Sequence, residues 1–455
     1  MTKQKEKKVK LGQDGIYDAR SLGVPKMLVL GFQHVFAMFG ATVLVPIITG
    51  LSVSTTLLMA GLGTLLFHLV TKGKVPAFLG SSFAFLGGFA IVAPKLIDPA
   101  TGLQTVSNLE MLPYACGGVV AAGLIYVVVA GLIQVFGVKK VMRFFPPVVT
   151  GPIIISIGLI LAPTAITNAQ TNWLLAGVAL LVIIVCNIWG KGMVKIIPIL
   201  LGVAISYLVA LLTHAVDFTP VLNAKLFEVP LYPTAFAKFD LSAVLTIMPI
   251  ALAAMMEHIG DMAAISATVG KNFIAEPGLA RTLLGDGLAT SLAGMFGGPA
   301  NTTYGENTGV LALTKVYDPK VIRIAAVVAV ILSFVPKFDA IVNTIPVAII
   351  GGISLILYGM ISAIGVRNVV ENQVDFTKSR NLIIAAVILV SALGFSATGG
   401  LTLVESATLN INLSGLAIAA ILGITLNAIL PGNDYEFGKD LEGDISANLQ
   451  MYSGE

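Results

Sequence analysis

Charge is what this sequence has little of. Only 11% of its residues are Asp, Glu, Lys or Arg, where a soluble chain carries about 25%. Hydrophobic residues make up 56% and the mean hydropathy is +0.93, so a soluble globular class is excluded. The net charge of +3 offers no field for nucleic acid. Cysteine is nearly absent. Cys116 and Cys186 sit singly in apolar runs and imply neither a disulfide framework nor a metal site. No serine nucleophile with a base at workable spacing, no His/Cys cluster and no glycine-rich phosphate loop occurs, which leaves catalysis without machinery. No cleavable signal peptide is expected, because the N-terminus is basic and polar to Arg20 and the first apolar run is full length.

Long apolar runs are what the sequence does have. A helix crossing a bilayer needs about 20 such residues. The runs predict spans near 27–48, 54–71, 113–137, 148–164, 171–189, 195–214, 241–266, 279–296, 320–337, 347–365, 381–397 and 411–430. Two further segments, 76–95 and 299–316, are interrupted by polar or glycine-rich residues and complete an expected fourteen. With both termini in the cytoplasm, Lys95, Lys225, Lys238 and Lys337 are the Lys and Arg residues that fall outside, and the rest of the 27 fall inside. Cytoplasmic loops are expected to hold that excess. The acidic end from Asp434 to Glu455 reads as a solvated terminus, and His68 and Lys72 read as interface residues.

The sequence also repeats itself weakly. Gln33-His34 answers Glu257-His258, Pro76-Ala77 answers Pro299-Ala300, and FPPVVTGPII (145–154) answers IPVAIIGGIS (345–354). Seven spans is an odd number, so the second copy must enter the membrane upside down, as in secondary transporters. The repeat pairs the interrupted segments VPAFLGSSFAF (75–85) and GGPANTTYGENTGVLALTK (297–315) near the midplane. Irregular backbone survives at that depth only when buried in protein or lining a wet cavity. Two short extended pieces pairing as antiparallel strands would satisfy it, with half-helices leaving at Phe83 and Glu306.

The eighth span carries Glu257, His258 and Asp261 in one apolar helix. Ionisable groups there are costly and mark substrate or proton routes. Glu257 and Asp261 are four residues apart, on one face, where a proton can be shared between them. Each can alternatively be a buried carboxylate satisfied by neighbours. His258 points about 100° from Glu257 and reads as a structural hydrogen-bonder as readily as a functional one. His34 stands at the same balance. Asp286, flanked by Gly285 and Gly287, reads as bonding backbone, and the Asn301-Thr302-Thr303 sequon lies too deep for a glycan.

These residues resemble a known family. Glu306 to Lys315 fits the signature of nucleobase–ascorbate transporters: Gln, Glu or Pro, then Asn-x-Gly, four free positions, Thr, and Arg, Lys or Gly. Gln33-His34 matches the family's first-span motif. QHVFAMFGATVLVP (33–46), LGSSFAF (79–85), EHIG (257–260) and NTTYGEN (301–307) are most similar to its bacterial uracil-permease branch.

The resemblance implies an all-α polytopic fold of fourteen spans in two inverted seven-span repeats, with short antiparallel strands in spans 3 and 10. A core domain (27–144 and 241–340) and a gate domain (145–240 and 341–430) lie between cytoplasmic tails 1–26 and 431–455. It further implies that Glu257 and Glu306 hydrogen-bond a pyrimidine. The backbone N–H groups of Phe83 and Gly305 face its carbonyls, and Ala41, Tyr304 and Tyr358 pack on the ring. Members are proton symporters of the cytoplasmic membrane that need no other cofactor and commonly dimerise through the gate. The branch carries His where this chain has Asp261. Candidate proton carriers are therefore Asp261, Glu257, Glu306 and His34. Uracil is the expected substrate, and xanthine, urate or another oxopurine the alternative. An anion transporter or channel on the same scaffold would favour a basic midplane residue, which this sequence lacks.

Overall fold

Apolar runs with no water to solvate their backbone must close their hydrogen bonds internally, and here nearly all of them close as helices. The computed structural model describes residues 15–97, 104–405 and 410–435. The lysine-rich stretch 1–14, the position of Asp98, residues 406–409 and most of the acidic tail, 436–455, lie outside the described residues. The first half runs α1 (Val24–Thr49), α2 (Val53–Val70), β1 (Leu79–Ser81), a 3-10 turn at Phe83–Phe85 and α3 (Leu86–Val92). A small pair, β2 (Leu96–Ile97) and β3 (Gln104–Val106), precedes α4 (Leu112–Phe136), α5 (Pro147–Gln170), α6 (Trp173–Trp189) and α7 (Pro198–Leu212).

The second half runs α8 (Leu241–Val269), α9 (Leu279–Met295), β4 (Asn301–Thr303), α10 (Gly305–Thr314) and α11 (Pro319–Ser333). It closes with α12 (Val347–Glu371), α13 (Ser379–Ala397), a hairpin of β5 (Leu401–Glu405) and β6 (Asn410–Leu413), and α14 (Gly415–Ile429).

Seven of these helices, α1, α2, α4, α5, α8, α12 and α13, are each long and apolar enough to cross a membrane. An eighth joins them if α11 is taken with the helix Pro336–Asn343, which bends away from it by 86°. The protein is a multi-pass membrane protein. Several predicted spans are shorter than expected. The 320–337 run breaks at Ser333, before Pro336 starts the bent helix. The 411–430 run begins as strand, because Asn410–Leu413 pairs with β5. Helix starts only where the Ser414 hydroxyl accepts the Ala417 N–H, at 3.3 Å.

Between lipid-borne helices no hydrophobic force acts, so packing depends on close approach at small residues. A Cβ on Gly158 of α5 would lie 2.1 Å from the Tyr358 carbonyl of α12, and one on Gly351 would lie 2.2 Å from the Ala169 amide. Gly123 on α4 and Gly287 on α9 face each other's carbonyls in the same way, and Gly61 on α2 faces that of Ala326 on α11. The backbones touch, and the interrupted segments are enclosed between them.

Candidate functional site

β1 and β4 pair antiparallel, Leu79 with Thr303, Gly80 with Thr302 and Ser81 with Asn301. The pair is extended at both ends, where Ser82 N–H donates to Ala300 O (2.8 Å) and Tyr304 N–H donates to Phe78 O (3.0 Å). Helices satisfy the remaining edges. Thr64 of α2 accepts the Leu79 N–H at 2.9 Å, and Thr290 of α9 donates to the Asn301 carbonyl at 2.8 Å. Asn301 is buried and donates through its side chain to the carbonyls of Met59 and Ala289, so the sequon is a structural brace.

From this platform the chain leaves in two directions as helix, at Phe83 and at Gly305. Neither helix start has a side-chain cap. Their first N–H groups and the positive ends of their dipoles are therefore available to a polar ligand. Glu306 stands in the first turn of α10. Asp261 of α8 reaches the same point. Thr303 donates to its Oδ2 at 2.9 Å, and its Oδ1 lies 3.6 Å from where a Gly305 Cβ would be. One turn earlier on α8, Glu257 has a buried Oε2 with no hydrogen-bond partner among the described residues.

Tyr358 comes from α12, buried, its ring edge-on to that of Phe83 with centroids 5.8 Å apart. Its hydroxyl and that of Ser354, one turn earlier, are buried without an aligned hydrogen bond among the described residues. Ala41 is buried beneath β1, its carbonyl accepting the Ser81 hydroxyl at 3.1 Å. Tyr304 is committed to the platform: its hydroxyl donates to Ser81 O at 3.1 Å and accepts from Thr42 at 3.3 Å. Its ring occupies the space a side chain on Gly80 would need, 2.5 Å from that Cβ.

His34 meets α10 through Asn307, the residue after Glu306. The Asn307 amide donates to its Nδ1 (3.1 Å) and carbonyl (3.2 Å), tying the first-span motif to the α10 signature. Thr303 and Asn307 are the residues a sequence reading passes over. Both sit inside the matched motifs, but nothing in the spacing tells which side chains they meet.

Two expectations are corrected. Asp286 bonds no backbone among the described residues. It is wholly buried, with its Oδ2 3.0 Å from His258 Nδ1, within ion-pair distance but out of hydrogen-bond alignment. His68 is no interface residue: it is buried, with Nε2 2.9 Å from the Ala77 carbonyl, supporting the approach to β1.

Beside Phe83 a void of about 20 Å³ is lined by Ala84, Gly87, Ile157, Ile160, Leu161 and Leu416, among others. That is room for a water and not for a heterocycle, so the structure is closed here. A groove of about 620 Å³ runs along α13 from Ala386 to Thr398. It is apolar, lies on a mostly exposed helix and is lined by none of the carboxylates above, so it is outer surface and no part of the site. Among the described residues no three His, Cys, Asp or Glu side chains form a metal-ligand set. Chemically, the site offers carboxylate acceptors, backbone donors at two helix starts and an aromatic pair. It suits a planar molecule with both N–H and C=O edges.

Residues 25–399 match the permease family. The uracil permease of Bacillus caldolyticus is 42% identical over 422 residues, covering 90% of this chain and 93% of the relative. That of Bacillus subtilis is 40% identical over 444 residues, covering 94% and 96%. In fold, the transmembrane domain of the cyanobacterial bicarbonate transporter BicA aligns with a TM-score of 0.59 at 15% identity, covering 91% of this chain and 99% of that one. SLC26A9 aligns at 0.64 and 10% identity, covering 91% and 66%. The carboxylates at broken helices, the signature on α10 and these matches over most of the chain lead to one conclusion: the protein belongs to the nucleobase–ascorbate transporter family and is a permease, not an enzyme.

Proposed function

We propose that this chain imports uracil together with protons across the cytoplasmic membrane by alternating access. The observation that carries the reading is the convergence of Glu306 and Asp261 on the uncapped start of α10, with Glu257 one turn away. Uracil has two N–H donors and two carbonyl acceptors. Glu257 and Glu306 would accept from the former, and the N–H groups of Phe83 and Gly305 would donate to the latter. Phe83, Tyr358 and Ala41 would bound the ring, with Tyr304 holding the platform. A buried site of this kind rejects analogues that lack a matching group. Relatives named uracil permeases at about 40% identity support the same substrate. Anion transport on this scaffold finds no support in the residues: among the described residues, none of the seven helices long enough to span carries Lys or Arg away from its ends.

Asp261 would hold the coupling proton in place of the branch's histidine. It shares a helix face with Glu257 and touches the start of α10 through Thr303. A membrane potential of about 100 mV supplies about 2.3 kcal/mol per proton, which sustains roughly a 40-fold uracil gradient.

The reading includes fourteen spans in two inverted repeats, a core of α1–α4 and α8–α11, a gate of α5–α7 and α12–α14, cytoplasmic termini and dimerisation through the gate. Its support is a contact pattern that maps onto itself when each element is exchanged for the one seven places on. α2 packs on α11 as α9 packs on α4; α6 on α12 as α13 on α5; α6 on α7 as α13 on α14. Thr64 on Leu79 is mirrored by Thr290 on Asn301. The test is uptake of radiolabelled uracil into proteoliposomes, with and without an imposed pH gradient and with xanthine or urate as competitor. Accumulation indifferent to the gradient would end the symport reading, and preferential displacement by xanthine would end the uracil reading.

A further inference from the structure

Residues 15–22 precede α1 and fall outside the stretch that matches the family. They cross the ends of α8 and α10, which carry the carboxylates, and the start of α11. Ile16 bridges Val316 in parallel: its N–H donates to Lys315 O (2.8 Å), and its carbonyl accepts from Tyr317 N–H (2.8 Å). The Tyr17 hydroxyl donates to the Val269 carbonyl at the end of α8 (2.7 Å). The Tyr17 ring lies 5.3 Å from that of Tyr317, with the Lys271 ammonium 4.5 Å over its face. Ala19 N–H donates to Asp318 at the start of α11 (2.9 Å), and Lys320 reaches both Asp18 and Asp318 at 3.3 Å. Ile16, Ala19, Leu30, Val316 and Val321 form a small buried core separate from the main one.

α10 needs such an anchor. It has ten residues, too few to be stable alone, and a start without a side-chain cap. Its last turn closes on Lys315 in the left-handed region, φ 54°, a conformation that persists in a non-glycine residue only when the surroundings enforce it. The segment held by Ile16 begins at that residue. Glu306 lies about 14 Å up the helix from Lys315, and Glu257 about 18 Å up α8 from Val269, at 1.5 Å per residue. A shift where the two ends are tied together is therefore carried to the carboxylates.

We propose that residues 16–19 are a positioning strap. Ile16 and Tyr17 fix the ends of α10 and α8 relative to each other, and so set the spacing of Glu306 from Glu257 and Asp261. The transport readout rests on the uracil reading above, while the exchange readout does not.

The test uses full-length protein. In Tyr17→Ala, amides of 306–317 should exchange hydrogen at least tenfold faster than in wild type while those of α4 and α9 stay unchanged. Tyr17→Phe, which keeps the ring and loses only the bond to Val269, should shift the same way by about threefold and covers the case in which Tyr17→Ala does not fold. In uptake, Tyr17→Ala should raise KM for uracil at least fivefold with Vmax within twofold, and Tyr17→Phe should restore most of it. Unchanged exchange in 306–317, or a fall in Vmax at constant KM, overturns the strap. Wild-type protein that takes up no uracil removes the substrate reading instead and leaves the exchange result to decide.

Discussion

Glu306 and Glu257 are held by different means, and the difference decides what substitution should do. Glu306 belongs to a helix start and follows the platform, whereas Glu257 sits mid-helix with an unpartnered oxygen. Glutamine at either position turns a pure acceptor into a group that also donates, which in the proposed site would face an N–H of the base. Uracil binding measured by calorimetry should weaken at least tenfold in Glu306→Gln and in Glu257→Gln, about 1.4 kcal/mol or more. Wild-type affinity in both would remove them from the site. Asp261→Asn keeps the acceptor for Thr303 and loses the proton. It should bind and exchange uracil across proteoliposomes yet fail to accumulate it on a pH gradient. Continued accumulation would move the proton to Glu306 or His34. The carboxylates were legible in the sequence because charge in an apolar run is conspicuous. The role of Asn307 against His34 was not, since two spans far apart in the chain must meet before either side chain has a partner.

At the scale of elements, the α5–α12 crossing is a tight joint, and α12 carries Tyr358 to Phe83. Any side chain on Gly158 would drive into the Tyr358 carbonyl, a backbone atom that cannot swing aside. Gly158→Val should cost about 1–3 kcal/mol, the usual penalty of overpacking, and lower the thermal midpoint of the detergent-solubilised protein. An unchanged midpoint would mean that the two helices separate freely. The strap makes a different claim about pH. The Arg20 amide, and then the Lys320 ammonium, hold the Asp18 carboxyl below its ordinary value of 3.8. A depressed value means that its contribution is complete above 3.8 and is lost only as pH falls below it. Between pH 5 and 8 the exchange protection of 306–317 should therefore be flat, and any pH dependence of binding in that window should persist in Asp18→Asn.

For the whole molecule, the inverted arrangement proposed above predicts sidedness. Cysteine at Leu222 should react with an impermeant reagent from outside, and cysteines at Gly192 and Asn372 only from the cytoplasm, in intact cells against inverted vesicles. Labelling of all three from one face would refute the span count. The chain's likeness to bicarbonate and anion carriers at 10–15% identity extends to fold alone. At its own broken helices this chain places carboxylates, Glu306 in the first turn of α10 and Asp261 beside it, and a carboxylate is an acceptor only.

The membrane class, the two interrupted segments and the carboxylates of α8 and α10 follow from composition and order along the chain. Apolar length and misplaced charge are local properties, and a bilayer penalises both in ways that can be read residue by residue. The pairing of 79–81 with 301–303 was also within reach, because unsatisfied backbone at depth must find a partner and the repeat names one. Three features waited for the tertiary structure. Asp286 faces His258 and not backbone, Tyr304 spends its hydroxyl on Ser81 and Thr42, and residues 15–22 bind the ends of α8, α10 and α11. Each is a contact between residues from 28 to about 300 positions apart, chosen by which helix faces come to lie opposite one another. Helical periodicity gives the face, and only packing gives its neighbour.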